Sequence, residues 1–250
     1  MTKRPNRYIE KIAGMVGEPD HVRAIEMFVA SHRHAGAPLE EVAKNLGVSE
    51  IVREEMPFEG GIFELVDGQH RLVVKINSFS PHVRQRFTLA HEIGHLLLHG
   101  ALGGERNCAG DATLEDACDA IAAEFLMPAR EAASFVKQKA SCSPETLRTI
   151  ASAFEVSLHT AALRVHRDLH LWRQLRGIGF WRFKETAEEL WFVGARPWKT
   201  RRPLLSAFNC ALSSRVSIQM QERFIDGYRE RLAFLHVLNL GNNHLLGLVA

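Results

Sequence analysis

The chain has 250 residues, 46% of them hydrophobic and 24% charged, and its formal net charge is +2. This composition is ordinary for a soluble globular protein with one large or two small domains, and no apolar stretch is long enough to span a membrane. The four cysteines form no close pair, which argues against a disulfide framework and against a Cys-x-x-Cys metal site. Because no apolar run follows the basic start, we expect a cytoplasmic protein with reduced thiols.

The first third of the chain predicts helices and then a hairpin. Residues 8–35 look helical, and residues 38–48 resemble a short helix that ends at a glycine cap. Residues 61–66 and 71–77 are apolar or alternating on either side of Asp67-Gly68, a pattern typical of a β-hairpin. A small sheet is therefore expected directly before the next helix.

That next helix is predicted over residues 81–99. Ser80 is a suitable N-cap, Pro81 suits the first helical position, and Gly100 is placed as a C-terminal stop. The second half of the helix is apolar around most of its circumference and carries one polar stripe, which indicates burial on most sides.

The polar stripe contains the most informative motif of the chain, His91-Glu92-Ile93-Gly94-His95. Two histidines four residues apart share one helix face and can bind one metal ion, while Glu92 is positioned to accept a proton from a water. Unpaired buried polar groups cost about 1–3 kcal/mol each, so the stripe needs partners, and zinc is the simplest one. The alternative is a pair of hydrogen-bonded core histidines, which leaves Glu92 unexplained by packing.

A catalytic zinc ion usually has three protein ligands, so a third donor must come from elsewhere in the chain. His99 lies about 12 Å along the helix axis from His91, too far for one coordination sphere, and we predict that it supports the site without binding the metal.

Glu115 is the better third donor. It lies on a helix predicted between a cap at Thr113 and a stop at Pro128, and Asp119 follows one turn later on the same face. We predict that Glu115 completes the site and that Asp119 accepts the second ring N–H of a metal-bound histidine. Without the upstream histidines, the two acids would be interpreted as the solvated face of an amphipathic helix.

Two segments combine into a longer and more specific pattern. The first is Arg86–His99, which contains the histidine motif. The second is Glu115 with the run from Asp119 to Pro128, which ends in Ala-Ala-Glu-Phe-Leu-Met-Pro. Together they closely resemble the ImmA/IrrE family of bacterial and phage metallo-endopeptidases, over roughly residues 35–170. Cys118 and Ile121 stand where that family more often has Ala and Phe, which leaves the ligand assignment intact.

The resemblance implies one zinc ion per chain, held by His91, His95 and Glu115, with Glu92 as the catalytic base. It also implies an α+β, zincin-like domain whose substrate is a regulatory protein, often a helix-turn-helix repressor, so that cleavage relieves repression in a stress response or in element transfer. In zincin-type folds an edge strand can pair with an extended substrate. The competing interpretation is a zinc-stabilised module that holds a repressor or antitoxin without cutting it, although a purely structural site needs no general base.

Residues 144–169 predict two more helices, opened by Ser143-Pro144 and by Ser157. Their spacing resembles a helix-turn-helix, but the second helix offers only Arg164 and Arg167 as permanent cations. Together with the near-neutral total charge, this argues against direct DNA binding and favours a packing role.

The composition changes after Gly179. The segments with strand-like sequence are 180–184, 190–194, 215–220, 232–240 and 244–249, and the four tryptophans are at 172, 181, 191 and 198. Residues 171–250 carry 12 basic and 6 acidic side chains, whereas residues 1–170 carry 19 and 23.

This change predicts two domains. We assign residues 1–172, with a helical extension over 143–170, to the metallopeptidase domain and residues 177–250 to a β-rich accessory domain. The accessory domain is predicted to recognise a partner or sense a signal, with Arg201 and Arg202 as candidates for contacts with an acidic partner. The alternative is an aromatic core with basic residues on its surface.

Overall fold

The computed structural model describes residues 6–33, 36–66, 70–103, 111–139, 141–184, 187–195, 206–214, 216–226 and 229–250. Contacts between residues divide the chain into two compact units, Met1–Ala129 and Arg130–Ala250. Among the described residues, no helix combines the length and the apolar character that crossing a membrane requires.

The first unit opens with three helices, α1 (Arg7–Val16), α2 (His21–His32) and α3 (Leu39–Asn45). The prediction of one helical segment over 8–35 was therefore only partly right. Gly17 ends α1 in a left-handed conformation with φ of +69°, and the side chain of Asp20 then caps α2.

Three strands form the sheet of the first unit. They are β1 (Val48–Glu54), β2 (Gly60–Val66) and β3 (His70–Asn77), in the order β1-β3-β2. β2 and β3 pair antiparallel as predicted, although their turn at Asp67-Gly68 lies outside the described residues. β1 pairs parallel with β3. It was not predicted, because its sequence Val-Ser-Glu-Ile-Val-Arg-Glu lacks the apolar–polar alternation of a half-buried strand.

The long helix α4 (His82–Leu102) carries the histidine motif, and its ends differ from the prediction. Pro81 takes the N-cap position without a side-chain cap, while the Ser80 hydroxyl donates to Glu59 at 2.5 Å. At the other end the helix continues past Gly100 to Leu102. It ends at Gly103, whose positive φ of +67° favours glycine.

Helix α5 (Ala112–Leu126) packs against α4. Its N-cap is Asp111, which accepts the backbone N–H of Thr113, so the predicted cap at Thr113 was wrong. The buried apolar side chains that the two helices contribute are Leu89, Ala90, Ile93, Leu96, Leu97, Leu98, Leu114, Ala117, Cys118, Ile121, Ala122, Ala123, Phe125 and Leu126. The motif-bearing helix is therefore held in the core of the first unit.

The second unit begins with short helices. They are α6 (Ala129–Lys137), α7 (Pro144–Ala153), α8 (Leu158–Ala162) and a π-helix (Leu163–Asp168). The predicted caps at Ser143 and Ser157 are confirmed, since each side-chain oxygen accepts a backbone N–H of the following turn.

A five-stranded sheet follows these helices. Its strands are β4 (Gly177–Phe183), β5 (Ala187–Gly194), β6 (Ile218–Asp226), β7 (Arg229–Gly241) and β8 (His244–Val249), in the order β5-β4-β8-β7-β6, with antiparallel neighbours. The helix α9 (Ser206–Leu212), which the sequence did not predict, contacts β6, β7 and β8. Each of the five predicted strand segments overlaps one observed strand.

The core of this unit is aromatic and aliphatic. Trp181 is fully buried and its ring lies 4.8 Å from that of Phe208 on α9, and Trp172 is buried as well. The α+β class with a β-rich C-terminal part is thus confirmed. The compositional boundary at 172–177 lies inside the second unit, so the domain assignment from sequence stays a prediction.

Candidate metal centre

Three donor groups converge where α5 packs against the middle of α4. The Nε2 atoms of His91 and His95 lie 3.1 Å apart. From α5, the Glu115 carboxylate places Oε2 at 3.1 Å from His91 Nε2 and Oε1 at 3.6 Å from His95 Nε2.

These separations fit a tetrahedral zinc ion. An ion bonded to nitrogen and oxygen at about 2.0–2.1 Å holds neighbouring donors about 3.3 Å apart. Two neutral imidazoles and one carboxylate are also a donor set that catalytic zinc takes. His91, His95 and Glu115 are therefore the residues that would hold the metal.

Asp119 orients one of the histidines. Its Oδ1 lies 2.9 Å from His91 Nδ1, and because a carboxylate only accepts, that ring nitrogen carries the proton. The other nitrogen, Nε2, then directs its lone pair toward His95 and Glu115. The structure thus brings Asp119 to the position that its predicted role requires.

Glu92 is buried beside the donor atoms. Burial raises the pKa of its carboxyl from 4.5 to about 7, with Glu115 adding to the rise and the charge of His91 opposing it. Burial also lowers the pKa of His95, and the neighbouring His91 lowers it further. In the metal-free protein Glu92 is consequently a base that exchanges its proton near neutral pH.

The centre opens to solvent on the α5 side. The side chains of Glu115 and Asp119 are 47% and 55% exposed, whereas those of His91 and His95 are 16% and 17% exposed. An extended peptide can therefore approach from the face that carries the carboxylates.

Residues 50–166, which include all of these side chains, match the family model of the IrrE N-terminal-like domain. This match, over slightly less than half of the chain, supports the resemblance of this segment to the ImmA/IrrE family. The chain is 35% identical over 105 residues to the radiation response metalloprotease IrrE of Deinococcus radiodurans. This alignment covers 38% of the chain and 30% of that protein. The match thus spans less than a third of the relative's length.

A solved structure shares the fold. It is a Mycobacterium tuberculosis transcriptional regulator, with a TM-score of 0.57 over 99% of this chain and 81% of that chain. The two sequences are only 14% identical, so this likeness concerns the fold alone.

The remaining residues that the sequence analysis singled out are His99, Arg201 and Arg202. His99 is one turn beyond His95 on α4, and its Nδ1 is buried without a hydrogen-bond partner among the described residues. Its supporting role stays a prediction. Arg201 and Arg202 lie outside the described residues.

Cys118 is a potential donor that the sequence did not assign. Its sulfur lies within 4.8 Å of ligand atoms of both His91 and His95, and the residue is fully buried. Burial raises the pKa of this thiol, with Glu115 the largest of the neighbouring charges that raise it further, so it stays protonated in the metal-free protein. Glu115 remains the predicted third ligand, because its carboxylate oxygens lie 3.1 and 3.6 Å from the ring nitrogens of His91 and His95.

The first turn of α5 is held by the start of α1, another feature absent from the sequence prediction. Asn6 Nδ2 donates to the Thr113 carbonyl at 2.8 Å, and the Tyr8 hydroxyl donates to Asp111 Oδ2 at 2.9 Å. Arg7 also pairs with Asp111. More than 100 residues separate these partners in the chain, so no local pattern could have indicated the contact.

Gly94 allows α5 to approach α4 closely enough to deliver Glu115. A Cβ at position 94 would lie 3.1 Å from Cys118 Cα and 3.3 Å from the Cys118 carbonyl oxygen. Backbone atoms cannot rotate away, so a larger residue has to push the helices apart.

We expect Gly94→Val to destabilise the protein by about 1–3 kcal/mol, the usual cost of overpacking, and to weaken zinc binding because Glu115 moves with α5. Chemical denaturation and zinc titration measure the two effects. Gly100→Val on the same helix is the matched control, since a Cβ there meets no described atom within 4 Å. Equal losses in both variants would contradict the role of Gly94.

The buried Glu92 predicts a pH-dependent stability of the metal-free protein. Its pKa of about 7 in the folded state exceeds 4.5, so between these values the folded state holds more protons than the unfolded one. The contribution of the Glu92 carboxyl to the free energy of unfolding is fully present below about pH 4.5. It is lost as the pH rises through about 7 and the buried carboxyl ionises. In the metal-free wild type this loss is on the order of 3 kcal/mol, and metal-free Glu92→Gln should not show it because its amide does not ionise.

Urea unfolding of chelator-treated wild type and Glu92→Gln at about pH 5 and about pH 8 measures this difference. The free energy of unfolding of the variant, relative to that of the wild type, should be larger at the higher pH than at the lower pH. Parallel pH profiles would mean that Glu92 is solvated in the metal-free protein.

Proposed function

We propose that this protein is a zinc-dependent endopeptidase with one zinc ion per chain, bound by His91, His95 and Glu115. The observation that supports this most directly is the convergence of the three donor groups within 3.1–3.6 Å, with the buried Glu92 beside them. The family-model match over residues 50–166 and the similarity to the IrrE metalloprotease both support it.

Each side chain has a distinct task in peptide hydrolysis. When bound, zinc would polarise the scissile carbonyl and activate a water molecule. Glu92 accepts the proton of the attacking water and delivers it to the departing amine. Asp119 keeps the His91 ring in the tautomer that leaves Nε2 free.

The substrate we propose is a cytoplasmic regulatory protein, in particular a helix-turn-helix repressor whose cleavage relieves repression. The resemblance to the ImmA/IrrE family supports this choice. The sheet supports cleavage of an extended segment, because β2 is an edge strand of the order β1-β3-β2. Its exposed apolar residues Leu65 and Val66 suit pairing with a flexible substrate strand.

A second candidate function is a binding module that holds its partner without cutting it. Cys118 is the observation that favours it, since a fourth protein ligand would close the coordination of the metal. A closed zinc site is structural and leaves no position for water or substrate. The burial of Glu92 beside the metal ligands favours the peptidase.

The test begins by identifying helix-turn-helix regulators encoded next to the gene, and each such repressor is then incubated with the zinc-loaded protein. We expect one discrete cut, identified by mass spectrometry, that a chelator abolishes and added zinc restores. A stable complex with an intact repressor would instead support the binding module. Intact repressor without a complex would remove that protein as the partner.

A further inference from the structure

A cavity of about 400 Å³ lies in the second unit, lined by His166, Arg167, His170, Arg173 and Gly194. Its volume is within the range of small-molecule sites. Four of the five lining residues carry a guanidinium or an imidazole group. None of them belongs to the proposed metal centre, so the cavity needs its own explanation.

The backbone around the cavity is irregular. The π-helix over 163–168 ends in an N–H···O bond from Leu169 to the Arg164 carbonyl at 2.9 Å, and His170 follows with φ of +50°. π-Helical turns occur often at functional sites, and a left-handed non-glycine residue is strained. The turn after the π-helix brings the ring of His170 back to the carbonyl of His166 in the helix.

Hydrogen bonds within this loop orient the lining side chains. The Nδ1 atoms of His166 and His170 lie 3.2 Å from the carbonyl oxygens of Trp172 and His166, respectively, and Arg173 Nε donates to the His170 carbonyl at 3.2 Å. Because a carbonyl only accepts, each imidazole carries a proton on Nδ1 and keeps Nε2 for a ligand. Arg173 uses only Nε in its bond to the His170 carbonyl, so its two terminal amino groups can donate to a ligand.

The local charge is positive. Residues 163–176 contain four arginines and one acidic residue, Asp168. Asp168 Oδ1 accepts from Arg167 Nε at 2.7 Å, which fixes the guanidinium without involving its terminal amino groups. The residues that line the cavity include two arginines and no acidic residue, so an anion is the ligand that the charge favours.

Gly194 keeps the cavity open next to His166. Its φ is +111°, and a Cβ there would lie 2.7 Å from His166 Nε2 and 2.3 Å from the Arg176 carbonyl oxygen. Any side chain would therefore cover the ring nitrogen that remains for a ligand.

We propose that this cavity binds the phosphate group of a small molecule. Guanidinium groups match the geometry of phosphate oxygens and form charge-assisted hydrogen bonds with them, and imidazoles add further donors when protonated. The concave shape and limited volume suit a small ligand better than a nucleic-acid backbone, which needs an extended cationic surface.

Isothermal titration calorimetry of the full chain with inorganic phosphate and with adenosine monophosphate, at constant ionic strength in chloride, tests the proposal. We expect saturable binding of one ligand per chain. Tighter binding of the nucleotide would identify a phosphate-bearing metabolite as the ligand, and equal binding would identify free phosphate.

Arg167→Gln and Arg173→Gln should each weaken binding by about tenfold or more, since each removes a charge-assisted hydrogen bond. Arg148→Gln, an exposed arginine of α7 in the same unit, is the matched control and should leave binding unchanged. Circular dichroism verifies that the variants are folded.

Three results would overturn the proposal: no saturable binding of either probe, the same weakening in Arg148→Gln, or variants that bind as well as the wild type. Duplex DNA that binds through Arg167 and Arg173 while both small probes fail would replace it with a nucleic-acid site. These readouts do not involve peptide cleavage, so their outcome is independent of the proposed endopeptidase function.

Discussion

Glu92→Gln should retain the fold and the zinc ion but lose peptide cleavage by about 10²- to 10⁴-fold, the usual contribution of a general base. Glutamine has nearly the same volume as glutamate and fills the same buried position. Its amide has no basic atom that can take a proton from the attacking water. The rate is measured on the cleaved repressor by quantitative electrophoresis, and zinc is measured in the same preparation by elemental analysis.

Glu50→Gln on β1 is the control for Glu92→Gln, because it changes an exposed carboxylate away from the donor atoms and should cleave at the wild-type rate. Cleavage by Glu92→Gln at the wild-type rate would refute the proposed mechanism. Loss of both zinc and cleavage would show that Glu92 is needed to form the site, which would leave its part in chemistry unsupported.

Removal of one zinc ligand has the second large effect that we expect. His95→Ala and Glu115→Ala each take away one of three donors and should weaken zinc binding by well over the 10- to 100-fold that loss of a supporting residue such as Asp119 causes. After dialysis, elemental analysis should find little zinc in either variant. Asp119→Ala should retain zinc more weakly than the wild type.

Cys118→Ala separates an open site from a closed one. If Glu115 is the third ligand, Cys118→Ala retains zinc and Glu115→Ala does not. The reverse result would make Cys118 the ligand and favour the binding module. Cobalt-substituted protein gives an independent measure, since a bound thiolate produces a charge-transfer absorption that Cys118→Ala would remove.

Short-range relations in the sequence account for much of the site. The 3.6-residue period of a helix places His91 and His95 on one face, and their spacing therefore predicted the paired nitrogens without knowledge of the fold. Capping residues likewise predicted the starts of α7 and α8, because a cap acts within one turn. The α+β class and the resemblance to the ImmA/IrrE family, both predicted from sequence, are confirmed.

Contacts between residues far apart in the chain were harder to predict from the sequence. Twenty residues separate His95 from Glu115, and no periodic relation crosses the loop between their helices. The predicted helix placed Glu115 and Asp119 on one face, and the family pattern then supported choosing them from the acids of α5. The roles of both residues as metal ligand and support remain proposals, although their measured distances are those the prediction needs.

The sequence by itself determined the pentapeptide on one helix face, the antiparallel β2–β3 pair and the strand-rich C-terminal part, because these depend on local periodicity. Only the tertiary structure decided that Gly94 lets α5 meet α4, that β1 joins β3 in parallel, and that Asn6 and Tyr8 hold the start of α5. The physical reason is that such contacts depend on space and hydrogen-bond partners supplied by residues far away in the chain. A local pattern carries no information about those partners.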